Sequence, residues 1–340
     1  MPVDTNLLDV GTVVDKRWKV TKVLGSGSFG AVYEVMDLKS GKCEAMKVEL
    51  TAQDFRTLKM EVVVLKELTD ISARNCCKLV GMGKKETYSY IVMTLVGASL
   101  QSLLDSLTAN KSPDGKNCFT LRSSIHLAVL CLQGLEDLHF IGYLHRDIKP
   151  QNYAVGRDPD FRKVFVLDFG MCRKYLRDDG SHKRPRSEVG FRGTLYYASH
   201  TALKGEEQSR RDDVWSWLYT IIQVTMGSVP WKDVRLTRNM SFEERKQAFA
   251  DRKCRMLNSA DDELLRGLPQ EFKVIQEHLK QLTYYDCPNY GLIYQALMGV
   301  FRRKEFTDSM PLDWEPQGEY HQMTMMAPAH NMMPGGPGTD

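Results

Sequence analysis

The chain has 340 residues, of which 46 are basic and 43 acidic, and 42% are hydrophobic. This composition is typical of a soluble globular protein, and the length fits two domains or one unit with two lobes. The formal net charge of +3 is too balanced to indicate nucleic-acid binding. The eight cysteines include no C-x-x-C pair and the N-terminus has no signal-peptide pattern, so we expect free thiols in a reducing compartment, the cytoplasm or the nucleus.

The first hundred residues have the pattern of an antiparallel sheet with one helix. Residues 1–15 precede this pattern and are expected to form a leader. Three β-rich runs bounded by glycine or polar turns follow, WKVTKVLG, AVYEVMDL and CEAMKVEL. Residues 54–68 carry apolar side chains at helical spacing, and residues 88–96 return to strand character. We therefore predict a small lobe over residues 16–96.

After Gly97 the sequence becomes helical in period, which predicts a larger, mostly α-helical lobe over residues 97–312. Its most apolar stretch, residues 214–231, is interrupted by polar residues and a proline, so we expect a buried core helix and no membrane contact. Residues 313–340 are rich in Met, Pro and Gly without periodicity, and we predict a disordered tail there.

A glycine-rich segment, GSGSFGAV at residues 25–32, fits the pattern G-x-G-x-x-G-x-V. Gly25, Gly27 and Gly30 would let backbone N–H groups approach a phosphate closely. A strand-like run follows the glycines where a dinucleotide-binding fold requires a helix, so a flap between two strands over nucleotide phosphates fits better. The motif is weak by itself, and an ordinary glycine hairpin is the alternative.

The run AMKVEL places Lys47 inside an apolar strand, where a lysine is costly unless it is paired. Glu61, within the helical stretch, is a candidate partner that would hold Lys47 against the α- and β-phosphates of a nucleotide. The alternatives are a lysine that reaches the surface and a glutamate on a solvated helix face.

The segment HRDIKPQN, which begins at His145, crowds polar side chains between apolar edges and matches the pattern H-R-D-x-x-x-x-N. Asp147 would accept or orient the proton of an attacking hydroxyl, and Lys149 would neutralise charge on a transferring phosphoryl group. Asn152 would bind Mg²⁺. Arg146 is placed to pair with an anion on a later segment, whereas His145 is expected to be structural.

A second motif follows the hydrophobic run VFVL and comprises Asp168, Phe169 and Gly170. Asp168 would chelate a Mg²⁺ ion that bridges the phosphates. The triplet is common by chance, but here it stands 21 residues after Asp147 and completes an ordered set with the glycine loop and Lys47.

Over residues 15–310 the sequence resembles the eukaryotic protein kinase superfamily, although the usual A-P-E motif is missing. Residues 193–217 stand in its place and contain EQSRRDD, which resembles the casein kinase 1 group. GFRGT, residues 190–194, is similar to the tau-tubulin kinase branch of that group. The resemblance implies an α+β bilobal kinase fold, Mg-ATP as phosphoryl donor, and Ser or Thr on protein substrates as acceptor.

The resemblance also implies an adenine site. Met93 would be the gatekeeper, and the backbone of Thr94 and Val96 would bind the adenine edge. Apolar side chains would sandwich the ring, although each of these also fits plain core packing. The residues expected to contact the nucleotide are Leu24, Gly25, Ser26, Gly27, Ser28, Phe29, Gly30, Val32, Ala45, Lys47, Glu61, Met93, Thr94, Val96 and Leu167. Asp213 resembles a buried aspartate that braces the catalytic loop.

The segment between Met171 and Thr194 is basic, with seven Lys or Arg residues against three acidic ones. It is either a solvated charged loop or a surface that attracts acidic or already phosphorylated substrates. Members of the casein kinase 1 group usually have an arginine at the position of Tyr196, so primed-substrate binding is in doubt. Ser181, Ser187 and Thr194 are candidate phosphorylation sites, and the resemblance suggests activity without that step.

Three other functions remain as alternatives. A nucleotide-binding pseudokinase or scaffold is disfavoured because Lys47, Asp147, Asn152 and Asp168 are all intact. A kinase acting on a small molecule or lipid is disfavoured because the HRDIKPQN and EQSRRDD strings resemble protein kinases. The basic stretch RKCR at residues 252–255 lacks interleaved aromatics, so we interpret it as a solvated helix, with no nucleic-acid partner. We expect a monomer.

Overall fold

The computed structural model describes residues 7–27, 30–50, 56–107, 111–112, 114–187, 189–259, 262–315 and 318. Its first lobe contains the strands β1 (Val13–Val14), β2 (Trp18–Gly27), β3 (Gly30–Asp37), β4 (Cys43–Leu50), β5 (Leu79–Lys84) and β6 (Tyr88–Thr94). They form one six-stranded sheet in the order β1-β2-β3-β4-β6-β5, with every neighbouring pair antiparallel. The predicted antiparallel small lobe is confirmed.

One helix packs on this sheet, as the apolar spacing of residues 54–68 predicts. Helix α1 spans Arg56–Asp70 and buries Leu65 and Leu68 in a core that continues into the second lobe. The other face of the sheet has a separate apolar cluster around the fully buried Tyr33. The sheet is thus apolar on both faces, and only one of them is covered by α1.

The expected leader, residues 1–15, is partly integrated into the sheet, which corrects the predicted boundary. Leu8 is buried, and its backbone N–H donates to the Tyr33 hydroxyl at 3.1 Å. Strand β1 pairs with β2, and the Asp15 carboxylate accepts a hydrogen bond from Tyr90. Sequence patterns missed this because so short a strand has no alternation to detect.

The second lobe is mostly helical, as predicted. Its helices are α2 (Leu100–Ser106), α3 (Leu121–Phe140), α4 (His200–Leu203), α5 (Arg210–Met226), α6 (Phe242–Asn258), α7 (Phe272–Gln281) and α8 (Tyr290–Arg303). Two short antiparallel ladders lie beneath the cleft, where β7 (Tyr143–Leu144) pairs with β10 (Arg173–Lys174) and β8 (Tyr153–Val155) pairs with β9 (Val164–Val166). They carry the catalytic loop and the segment that follows it.

Helix α5 is the buried centre of this lobe. It begins at a capping box formed by Ser209 and Asp212, which satisfies backbone donors of the first turn. The indole of Trp217 donates to the Ala128 carbonyl of α3 at 3.1 Å, so the two helices are joined inside the core. Residues 214–231 thus contribute a core helix, and no described helix is long and apolar enough to cross a membrane.

The chain remains packed beyond residue 312, so the predicted start of the tail at 313 is wrong. Trp314 is fully buried, its indole donates to the Phe161 carbonyl at 2.8 Å, and its ring meets Phe119 edge-on. The Asp313 carboxylate accepts from the backbone N–H and hydroxyl of Thr120 at the start of α3. Residues 316–317 and 319–340, the rest of the predicted tail, lie outside the described residues.

Candidate active site

The predicted lysine–glutamate pair is formed and buried. Lys47 Nζ on β4 lies 2.6 Å from Glu61 Oε2 on α1, and both side chains are 1% exposed. The second neighbour of the ammonium is Asp168 Oδ1, at 3.6 Å. Burial lowers the pKa of Lys47, but the charges of Glu61 and Asp168 raise it more, so it stays above the ordinary value. Lys47 is therefore a charged ammonium held between two carboxylates.

The catalytic loop is held from below by a buried aspartate on α5. The Asp213 carboxylate accepts hydrogen bonds from the backbone N–H of His145 at 2.7 Å and of Arg146 at 2.8 Å. It also lies 3.0 Å from Nε2 of His139 on α3. Arg146 has a left-handed backbone with φ of 69°, an unfavourable conformation that this brace stabilises. The structure places Asp213 where the family resemblance predicts, in contact with the backbone of the catalytic loop.

Asp147 lies at the centre of a polar cluster. Lys149 Nζ is 2.9 Å from Asp147 Oδ2, and the amide of Asn152 donates to the Asp147 backbone carbonyl at 2.8 Å. The hydroxyl of Thr194 donates to Asp147 Oδ1 at 2.7 Å and accepts from Lys149 at 3.0 Å. These contacts bring the three predicted catalytic-loop side chains together and fix the orientation of the carboxylate.

Sequence reasoning missed the position of Thr194, which it treated as a candidate phosphorylation site. Its hydroxyl is engaged by Asp147 and Lys149 instead. The preceding Gly193 has φ of +116°, and a Cβ there would lie 2.4 Å from the Arg146 carbonyl oxygen. The Gly-Thr pair at residues 193–194 was the sequence feature that could have indicated this contact, because only glycine lets the backbone approach the catalytic loop so closely.

Asp168 is presented to the cleft by the turn after β9. Its backbone is left-handed, with φ of 62° and ψ of 77°, and the Phe169 side chain behind it is buried. His145 Nε2 lies 3.0 Å from the Leu167 carbonyl, and its ring packs on Phe169, as its predicted structural role requires. Although burial raises the pKa of Asp168, the charge of Lys47 lowers it overall, so the carboxylate is ionised.

Asn152 and Asp168, the predicted metal ligands, are both buried, and the Leu167 N–H donates to the Asn152 carbonyl at 2.9 Å. Within the described part of the chain, no group of three His, Cys, Asp or Glu could hold a metal ion. Mg²⁺ at nucleotide sites is usually bound by one or two carboxylates together with the phosphates. The donor set therefore fits a metal that arrives with a nucleotide.

The apolar residues predicted to surround an adenine ring lie in one buried cluster that joins the two lobes. Ala45 on β4 is paired with Met93 on β6. Thr94 ends β6, and the chain then crosses to the second lobe. Six of the predicted residues belong to this larger cluster: Leu24, Val32, Ala45, Met93, Val96 and Leu167. The structure therefore places these side chains together in the core that both lobes share.

The glycine motif lies in the β2–β3 hairpin, so the flap between two strands is confirmed over the described residues. Gly25, Ser26 and Gly27 end β2, and Gly27 is paired with Gly30. A Cβ on Gly30 would lie 2.0 Å from the Val48 carbonyl oxygen, which explains the glycine there. Ser28 and Phe29, also predicted to contact the nucleotide, lie outside the described residues.

The basic segment is organised by a buried glutamate that the sequence did not single out. Arg186 donates to both carboxylate oxygens of Glu207, at 2.5 and 3.0 Å, and Arg173 Nε lies 3.5 Å away. Burial raises the pKa of Glu207, but these arginines lower it overall. Arg146 donates to the Met171 carbonyl at 2.8 Å, and burial lowers its pKa to about 10.

A two-lobed α+β fold with a buried lysine–glutamate pair and an aspartate at the centre of a polar cluster is the arrangement typical of protein kinases. The sequence profile of the protein kinase domain matches residues 18–283. The chain belongs to the protein kinase domain family, whose members use ATP with a divalent metal ion.

Curated relatives bear serine/threonine-protein kinase names. A Dictyostelium discoideum protein named a probable serine/threonine-protein kinase is 34% identical over 90% of the chain, which spans 58% of that relative's length. A Caenorhabditis elegans protein with a provisional serine/threonine-protein kinase name is 35% identical over 93% of the chain and 88% of its own length. The worm serine/threonine-protein kinase spe-6 is 32% identical over 88% of the chain and 76% of its own length. By family, the chain is thus a serine/threonine protein kinase.

Proposed function

We propose that the protein transfers the γ-phosphoryl group of Mg-ATP to Ser or Thr hydroxyls of protein substrates. The observation that carries this proposal is the cluster of Asp147, Lys149 and Thr194, joined by contacts of 2.7 to 3.0 Å. A carboxylate fixed in this way can receive the proton of a second hydroxyl, that of the substrate. The relatives' names support Ser and Thr as acceptors.

In the proposed mechanism, the protein positions the reactants and neutralises charge, as in other phosphoryl transfers. Asp147 orients the attacking hydroxyl and takes its proton, while Lys149 stabilises charge on the transferring group. Lys47, held by Glu61, binds the nucleotide phosphates. Asn152 and Asp168 would hold Mg²⁺, which would neutralise charge on the phosphates when bound.

A pseudokinase scaffold is the second candidate, and the paired state of the site counts against it. Lys47 contacts Glu61, Asp168 is ionised beside it, and Phe169 is buried behind Asp168. An inactive kinase commonly loses one of these arrangements, because the helix that carries the glutamate and the metal-binding aspartate must both be in place. The site is therefore assembled for transfer and not for nucleotide binding alone.

The test of this function is phosphate transfer from Mg-ATP to casein and to synthetic Ser and Thr peptides, followed by mapping of the modified residue. Phosphoserine or phosphothreonine in the product supports the proposal. Binding of the nucleotide without transfer to any of these substrates would favour the scaffold, and transfer to lipid or sugar alone would favour a small-molecule kinase.

We further propose that the chain belongs to the casein kinase 1 group and its tau-tubulin kinase-like branch. The EQSRRDD string, residues 207–213, supports this because its members have specific structural roles. Glu207 binds Arg186, and Asp212 caps α5 and accepts from the hydroxyl of Ser199. Asp213 braces the catalytic loop.

We propose that substrates are acidic near the acceptor residue. Of the basic residues in the segment, Arg173 and Arg186 are engaged by Glu207. Arg184 and Arg192 are exposed and make no ion pair with a residue that the structure describes. They are therefore available to an acidic substrate, since unpaired arginines bind carboxylate or phosphate well.

Binding of a phosphate group on a primed substrate at the position of Tyr196 has less support. The Tyr196 ring packs against Trp231 and Phe249 and offers no cation there. We therefore expect phosphorylated and carboxylate-rich peptides to be used through the arginines of the basic segment and not through this position.

We predict that Arg184→Glu/Arg192→Glu lowers kcat/KM for an acidic peptide by about tenfold, because reversing the charge repels the substrate. The same variant should leave kcat/KM for a neutral-flank peptide within about twofold. The measurement is steady-state kinetics with acidic, phospho-primed and neutral peptides at two ionic strengths.

The matched control is Arg266→Glu/Lys273→Glu, which makes the same change of charge at exposed positions of the second lobe. If the control lowers acidic-peptide use as much, the effect is the net charge of the protein and not the basic segment. Equal use of acidic and neutral peptides by the unmodified protein would also contradict the preference.

We propose that phosphorylation of the basic segment is not needed for activity. Glu207 supplies an internal anion for Arg173 and Arg186, and the half-buried Arg146 donates to the Met171 carbonyl. In many kinases a phosphorylated residue supplies such an anion. Here the carboxylate is already part of the folded chain.

Phosphatase-treated protein should therefore keep its activity, whereas Glu207→Gln should lower kcat/KM about tenfold through the loss of charge-assisted bonds. Glu206→Gln, a neighbour with a half-exposed side chain, is the control. Mass spectrometry must show that the basic segment is unmodified in each sample. Loss of activity after dephosphorylation would contradict the proposal.

We also propose that the protein acts in the cytoplasm or the nucleus as a monomer. The sequence pattern of free cysteines supports a reducing compartment. Fractionation of cells and light scattering of the purified protein would test the two statements separately.

A further inference from the structure

The basic stretch at residues 252–255, expected to be a solvated helix, contains a fully buried lysine. Lys253 lies on α6 and is 0% exposed. Its Nζ donates to the backbone carbonyls of Ala198 at 2.6 Å, Tyr196 at 2.9 Å and Leu195 at 3.4 Å. Three carbonyls of one short segment thus converge on one amine from a distant helix.

Two aromatic rings complete this site. Lys253 Nζ lies 4.3 Å from the ring centre of Trp231 and 4.8 Å from that of Tyr219, both within the range of cation–π contacts. The Trp231 indole also donates to the Tyr196 carbonyl at 2.8 Å. The backbone of residues 195–198 is therefore held by donors from two separate elements.

No carboxylate among the described residues forms an ion pair with Lys253, so its amine is stabilised by backbone carbonyls and aromatic rings alone. Burial lowers its pKa well below the ordinary value. An isolated buried amine is costly, and a Met or Leu of similar volume would pack in the same space at lower cost. A lysine kept at this cost in stability indicates that the residue has a role other than filling space in the core.

The held segment leads directly to the reacting groups. The backbone N–H groups of Tyr197 and Ala198 both donate to the Thr194 carbonyl at 3.0 Å, which forms a turn. The Thr194 hydroxyl donates to Asp147 and accepts from Lys149. A continuous set of contacts therefore runs from Lys253 through residues 194–198 to the catalytic aspartate.

We propose that Lys253 is a positioning residue, which holds residues 195–198 beside Asp147 and so orients the protein substrate. This inference rests on the proposed kinase function, because it assigns a role in binding the acceptor protein. None of the contacts described for Lys253 is to a residue predicted to bind the nucleotide, so it acts on the acceptor side of the reaction and not on ATP.

The test compares the unmodified protein with Lys253→Met, which keeps an unbranched chain and removes the donors. We expect kcat/KM for a protein or peptide substrate to fall by at least about tenfold, mainly through KM, since the hydrogen bonds to three backbone carbonyls are lost. The KM for ATP should stay within about twofold, because the change lies outside the nucleotide site. Hydrogen exchange should become faster at the amides of residues 195–198.

Ile293→Ala, at a fully buried position of α8, is the control for a general loss of stability. Assayed at the same interval below its own Tm, it should leave both KM values unchanged. If Lys253→Met does not fold, Trp231→Phe carries the test, because it removes the indole donor to Tyr196 while it keeps an aromatic ring beside Lys253, and it should raise the substrate KM about threefold.

The outcomes separate the two proposals. If the unmodified protein transfers no phosphate, the proposed function fails. If the unmodified protein transfers phosphate but the folded Lys253→Met protein keeps its substrate KM within about twofold, only the positioning role is overturned. Where Lys253→Met does not fold, the same result with Trp231→Phe overturns that role. Equal changes in the KM for ATP and for the substrate would also overturn it, since they indicate a global structural effect.

Discussion

Asp147→Asn is expected to reduce turnover by about 10²–10⁴-fold, the range that proton transfer by a positioned side chain contributes. Asn cannot take the proton of the attacking hydroxyl, although it can still accept hydrogen bonds from Thr194 and Lys149. Nucleotide affinity should change by less than about threefold, because the lost interaction belongs to the transition state. Single-turnover kinetics and calorimetric titration with ATP measure the two quantities.

Asp178→Asn is the matched control, because it makes the same change at a side chain that is fully exposed to solvent. It should leave the turnover and the affinity for nucleotide unchanged. Asp147→Asn protein that keeps more than about a tenth of normal turnover would show that Asp147 is not the base, since even the lower limit of acid–base contributions exceeds this. The chemistry would then have to be reassigned.

Lys47→Met is expected to abolish transfer and to lower the free energy of unfolding by about 3–5 kcal/mol. Lys47 and Glu61 are both 1% exposed, so removal of the ammonium leaves Glu61 buried without its partner. The loss of stability should be smaller at acidic pH, because burial already raises the pKa of Glu61 and protonation removes the unpaired charge. Urea unfolding at several pH values measures the loss.

The double variant Lys47→Met/Glu61→Leu separates stability from activity. It replaces the buried ion pair by apolar side chains, so most of the lost stability should return while transfer stays absent. Lys66→Met, at an exposed position of α1, is the control for the Lys-to-Met change and should leave both quantities unchanged. If the double variant regains transfer, Lys47 does not bind the phosphates.

The motifs that identify this chain could be predicted because each is local. HRDIKPQN lies within eight residues, and its spacing alone predicts which side chains share the catalytic loop. The β2–β3 hairpin likewise followed from glycines placed between two β-rich runs. The Lys47–Glu61 pair was one of two alternatives, and the structure shows the paired one at 2.6 Å.

Other contacts could not be predicted because they join distant residues without a repeating pattern. Lys253 reaches carbonyls that are 55 to 58 residues away in the chain. In sequence it stands in an ordinary basic stretch, and only the packing of α6 makes it buried. Trp314 is similar, since its Met- and Pro-rich surroundings indicated disorder while its ring packs on Phe119.

The sequence by itself determined the family, the two-lobed α+β architecture and the candidates for the reacting side chains, because these depend on residue types at short, fixed spacings. Only the tertiary structure decided which of the polar residues are free. Glu207 occupies Arg173 and Arg186, Lys253 holds residues 195–198, and Thr194 engages Asp147. The physical reason is that burial and partner distance, which set the charge and hydrogen bonding of a side chain, arise only when separate elements pack together.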